Sequence, residues 1–145
     1  MKQNRQRDGR HRTRPRNAAC SELQVYGELS RKDPGTLLAR TAVLAGRILL
    51  ESGAETGRTE DTMSRICQAG GAVVTDSYVT PGMLMISFTW NGQMIHNMKR
   101  VGLSGTDLGK IQQVNALSRQ LQSREITLED CYRSLCQIQE EPGAS

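Results

Sequence analysis

The stretch ESGAETGRTEDTMSRI, Glu51 to Ile66, sets Glu51, Glu55, Arg58, Glu60 and Asp61 beside Thr56 and Thr59. Side chains of these types could supply paired carboxylates for proton transfer, or oxygen ligands for a cation. The same crowd also suits a solvated helix start, because acidic groups in a first turn complement the helix dipole. Ser52-x-x-Glu55 likewise fits a capping box, and on the residues alone this bland reading explains more. His96 stands opposite Ser87 across an Asn91-Gly92 turn, yet a neighbouring Ser and His without a third orienting group make a weak triad signal. A hydrogen-bonded sheet histidine is the expectation. Thr80-Pro81-Gly82 could set a hydroxyl at a pocket rim, though such tripeptides usually only turn the chain. Neither GxxxxGK[ST] nor GxGxxG occurs. Cys20, Cys67, Cys131 and Cys136 form no CxxC, and Cys131 and Cys136 would point about 140° apart around a helix. Reduced thiols, no zinc set and no cofactor are therefore expected.

The elements that must position these residues are short of aromatic material. Tyr26, Tyr78, Phe88, Trp90 and Tyr132 are the only aromatic residues, so a core must rest on Leu, Ile, Val and six Met. The net charge of +4 is uneven. Residues 1–16 hold Lys2, Arg5, Arg7, Arg10, Arg12, Arg14 and Arg16 against Asp8 alone. The remainder is mildly acidic. Residues 1–32 are expected to be a largely disordered basic tail with a short helix around Ser21–Leu29, and binding of anionic surfaces or of nucleic acid through phosphates alone is the alternative role it suggests. No run approaches the roughly 20 apolar residues that cross a bilayer; the best, Leu37 to Leu50, contains Arg40 and Arg47.

The ordered domain is expected over 33–141, with 142–145 as its end. Asp33-Pro34 opens a helix whose buried face carries Leu37, Thr41, Leu44, Ala45 and Ile48, and Gly53 stops it. A second helix runs from near Thr56 to Ala69, buried at Thr59, Met63, Ile66 and Cys67, and ends at Gly70-Gly71. Three strands follow, Ala72–Val79, Met83–Trp90 and Gln93–Arg100. Asn91-Gly92 fixes a two-residue hairpin in which Trp90 faces Gln93, Phe88 faces Ile95 and Ser87 faces His96. One sheet face then holds Leu84, Ile86, Phe88, Trp90 and Ile95. The other holds Met83, Met85, Met94 and Met98, and four Met predict helices over both faces, with a partner on the Met face as the weaker alternative. Ser104 with Asp107 and Thr127 with Asp130 read as capping boxes. They open helices carrying Leu108, Ile111, Val114, Leu117 and Leu121, then Leu128, Cys131, Leu135 and Ile138. The predicted class is α+β: two helices, a three-stranded antiparallel meander, two helices.

LLESGAET, EDTMSRI, VTPG, NG, KRV, VNALSRQL and ITLEDC, in this order, resemble the N-terminal domain of the threonine/serine exporter family over roughly Leu37 to Gln139. The resemblance implies a bacterial-type system in which a soluble domain precedes a bundle of membrane helices and threonine and serine leave on the proton gradient. It implies a domain on the cytoplasmic side of the plasma membrane, accessory to a multi-span membrane subunit, with self-association open and no specific nucleic-acid partner. By position it carries over Glu55, Arg58, Glu60 and Asp61 as the family's polar corner, Thr80 and Pro81 as its strand-turn element, and Asn115 as its later helix motif. All are binding or interaction candidates; none is assigned a catalytic role. Family members commonly show Thr-Gly after that proline, where this sequence has Gly82-Met83. The sequence ends at Ser145, about where a first membrane span is expected. A hydrolase-like enzyme using Glu55 to Asp61 is the alternative that the acidic corner itself suggests.

Overall fold

A computed structural model describes residues 33–102 and 105–142. The basic segment 1–32, with the helix expected near Ser21–Leu29, and Ser104 lie outside the described residues. The order is α1 (Pro34–Glu51), α2 (Thr56–Ala69), β1 (Val73–Thr80), β2 (Met83–Trp90), β3 (Gln93–Arg100), α3 (Leu108–Gln122) and α4 (Leu128–Glu140). This is the α+β meander that the sequence predicts, with sheet order β1-β2-β3.

Asp33 caps α1, its carboxylate accepting from the Thr36 backbone N–H at 3.3 Å and the Thr36 hydroxyl at 2.7 Å, with Pro34 in the first turn. Thirteen of the eighteen residues of α1 are buried, so it is a central rod and not a surface helix with one apolar stripe. It packs against β2 and β3 on one side and against α2, α3 and α4 on the others. Small residues allow this crowding: a Cβ on Gly46 would stand 2.5 Å from Met63 Sδ on α2 and 3.1 Å from Leu84 on β2. The remaining polar stripe, Arg40, Arg47 and Glu51, stays half-buried, with Arg47 Nε 3.1 Å from Glu51.

Both first helices end in the same hydrogen-bonded motif. Gly53 N–H donates to Leu50 C=O and Ala54 N–H to Leu49 C=O; Gly71 donates to Gln68 and Ala72 to Cys67. Gly53 and Gly71, with φ of 95° and 96°, occupy the left-handed position this motif requires. Ser52 is therefore the C-cap of α1. Glu55 is itself the N-cap of α2, so the Ser52–Glu55 capping box does not form. The start of α3 also differs from expectation: Asp107 is the cap residue, its Oδ1 accepting from Lys110 N–H at 3.1 Å. The expected buried stripe of α3 shifts as well, to Val114, Ser118 and Leu121, leaving Leu108 exposed. The Thr127–Asp130 box on α4 forms with both of its hydrogen bonds.

The register has Trp90 opposite Gln93, Phe88 opposite Ile95 and Ser87 opposite His96, turning at Asn91 and Gly92 with φ of 52° and 82°. Leu84, Ile86 and Phe88 are fully buried against the helices. The opposite face carries no helix among the described residues, and Met94 is 73% and Met98 59% exposed there. The expectation of helices on both faces is thus overturned: α1 and α2 lie on one side, and α3 and α4 stack beyond α1, not across the sheet.

Candidate functional site

Glu60 sits in the second turn of α2, beside the outer edge of β1. Its Oε2 accepts from the Val79 backbone N–H at 2.8 Å. Val79 lies opposite Leu84, and its N–H points away from β2, so the carboxylate closes a donor that the sheet leaves open. Ser77 Oγ donates to the Glu60 backbone carbonyl at 3.2 Å and stands 2.9 Å from Ser64 Oγ. Next along β1, the Thr80 hydroxyl reaches Met83 C=O at 3.3 Å across the exposed Pro81-Gly82 turn.

On its other flank α2 is tied to α3. The buried Thr62 hydroxyl donates to Asn115 Oδ1 at 3.2 Å. Arg65 Nη1 donates to Ser118 Oγ at 3.1 Å, and that hydroxyl donates to the Asn115 backbone carbonyl at 2.8 Å. Thr62, Ser64, Arg65, Ser77 and Ser118 were not candidates on sequence, although Thr62 and Arg65 flank Met63 and Ile66 on the buried side of α2. Deeper in the corner, Asp107 N–H donates to Ser52 C=O at 2.9 Å, so the Gly53 bend rests against the start of α3.

The seven candidates therefore divide. Glu60 joins the β1 edge beside Thr80, and Asn115 joins Thr62. Glu55, Arg58 and Asp61 are exposed, and among the described residues their side chains make no hydrogen bond or ion pair. No three of His, Cys, Asp and Glu among the described residues stand together in a metal-binding group. His96 and Ser87 lie on the open sheet face, away from this corner. Cys67, Cys131 and Cys136 are buried, and burial pushes the Cys67 and Cys131 pKa up to about 12, which keeps both protonated and unreactive near neutrality. Hollows are found between α3 and α4, about 300 Å³ and lined by Gln113, Leu117, Gln137 and Ile138 among others, and around the α3–α4 turn, about 320 Å³. Neither takes a lining residue from the seven candidates.

A central apolar helix, a one-sided meander and a hydrogen-bonded belt through α2 define a compact α+β body whose corner presents charge outward. Over residues 40–144 the sequence matches the family model of the threonine/serine exporters (ThrE), a title the family carries provisionally. The chain belongs to that family. No curated protein and no solved structure matches it.

Proposed function

We propose that this chain supplies the non-membrane domain of a threonine/serine export system and works beside a multi-span membrane part, on its cytoplasmic side. The observation that carries this reading is the family match across nearly all of the described domain. Among the described residues no helix is long and apolar enough to cross a membrane, so the conducting path must be built from other segments. The contact surface for the membrane part is the exposed triad Glu55, Arg58 and Asp61 with the neighbouring Pro81 turn. Charged groups with no internal partner lose nothing inside the domain when they pair with another protein. Glu60 and Asn115 support that surface from behind by fixing α2 to β1 and α3.

Efflux of labelled threonine and serine from cells with and without the gene tests the reading. Efflux should fall on deletion and return with the wild-type chain, but not with a folded Glu55→Ala/Arg58→Ala/Asp61→Ala variant. Equal efflux in the deleted and parental cells would overturn the proposal. Full rescue by the triple variant would remove the corner from it.

A further inference from the structure

The two outer strands of the sheet are finished differently. Along β1, α2 runs beside the edge and Glu60 takes the outward Val79 N–H at 2.8 Å. Along β3, the two-residue turn makes Trp90 and Gln93 a hydrogen-bonded pair, followed by Phe88 with Ile95, Ile86 with Asn97 and Leu84 with Lys99. The backbone N–H and C=O groups of Met94, His96, Met98 and Arg100 consequently point away from β2. Among the described residues nothing bonds to them. An eight-residue edge strand left open in this way is a template for another strand.

The open sheet face is banded across the three strands. Val73, Thr89 and Met94 form one row, Asp76, Ser87 and His96 the next, and Tyr78, Met85 and Met98 the third. The first and third of these rows are mostly apolar, with Tyr78 54% and Met98 59% exposed, and a further row, Thr80, Met83 and Arg100, ends the face. The middle row is polar. This spacing is self-complementary in one register.

We propose that β3 pairs antiparallel with β3 of a second copy of this chain, about a two-fold axis at His96, making one six-stranded sheet. Met94 then lies opposite Met98 of the partner subunit, and the row Tyr78–Met85–Met98 runs on into the partner's Met94, Thr89 and Val73. Polar row meets polar row at His96. Lys99 and Arg100 fall opposite Gln93 and Gly92 of the partner subunit, so neither stands against a like charge on the facing strand. A shift of two residues would set Arg100 against Met94, and a parallel pairing would stack Lys99 and Arg100 on their own copies. Because Glu60 and α2 occupy the other edge, each copy offers one edge only, and assembly closes at two instead of growing into a filament. The inference is independent of the export reading, and either can fail alone.

Sedimentation of the full chain at micromolar concentration should give twice the 16.0 kDa chain mass. Met98→Glu, an exposed position, should weaken association on the order of tenfold or more while leaving the far-ultraviolet spectrum unchanged. In a Cys20→Ser background, Met94→Cys and Met98→Cys should form a disulfide when mixed under mild oxidant, and neither should cross-link with itself. Paired residues in that register have Cα atoms about 5.5 Å apart, within disulfide reach. A monomeric wild-type chain overturns the proposal, as does a dimer that ignores Met98→Glu, or self-linking of Met94→Cys.

Discussion

Thr62 on α2 donates its hydroxyl to Asn115 Oδ1 on α3 at 3.2 Å, joining residues 53 positions apart. The hydroxyl is shut off from water, so removing its acceptor leaves a buried donor unsatisfied. Asn115→Ala should cost about 1–2 kcal/mol by urea denaturation. Thr62→Val in the same chain should recover part of that loss, because both polar partners are then gone. A double-mutant cycle giving strictly additive changes would show that the two groups do not act as a pair.

Glu60 and Asp61 are neighbours in sequence with opposite fates. Glu60→Ala should destabilise the domain by about 1–2 kcal/mol through the lost bond to Val79 N–H. Asp61→Ala, at an exposed position, should stay within about 0.5 kcal/mol. Hydrogen exchange gives a second check, since the Val79 amide should lose protection in the first variant alone.

Arg124 ends α3 with φ of 66°, and the Arg124 and Glu125 N–H groups donate to Leu121 and Gln120 C=O as the glycines do after α1 and α2. Its side chain is exposed, so the Cβ is a cost without a contact in return. Arg124→Gly should raise stability by roughly 0.5–1 kcal/mol. Gly53→Ala should lower it by about 1–2 kcal/mol, having φ of 95° and Thr106 3.3 Å from the new methyl. Thermal melts of the two variants should move in opposite directions.

The buried thiols set an alkaline limit. In the fold Cys67 and Cys131 ionise only near pH 12, whereas in the unfolded chain they do so near their ordinary value of 9.0. The unfolded state therefore binds fewer protons above that point. The contribution of each thiol is complete below pH 9 and is lost as pH rises towards 12, at about 1.4 kcal/mol per pH unit. Urea midpoints between pH 8 and 10.5 should fall, and Cys131→Ala should fall less steeply.

Local rules made much of this fold readable in advance. Asn91-Gly92 set the hairpin register because the turn itself dictates pairing, and Thr127 with Asp130 or Asp33 with Pro34 needed only neighbours four residues away or fewer. What stayed hidden depends on distant partners. Ser52 and Glu55 match a capping box in sequence, but the glycine-ended turn at Gly53 claims Ser52 for the preceding helix. The four Met looked like core because hydrophobicity does not say which side the helices take. The candidate corner was visible as a charged cluster, whereas its anchoring by Arg65, Ser118 and Ser77 was not. None of those residues is unusual until α2 is laid against α3 and β1.

The placement of α1 bears on how the protein is made. Its buried surface is shared between the meander, which follows soon after it, and α4, which is synthesised last of the described elements. Until α4 has been synthesised, one flank of an apolar rod stays wet and sticky, inviting chaperones or neighbouring nascent chains. A transcript cut short before Leu128 should yield insoluble material in place of a smaller working unit, since α1 waits on α4 for its shelter.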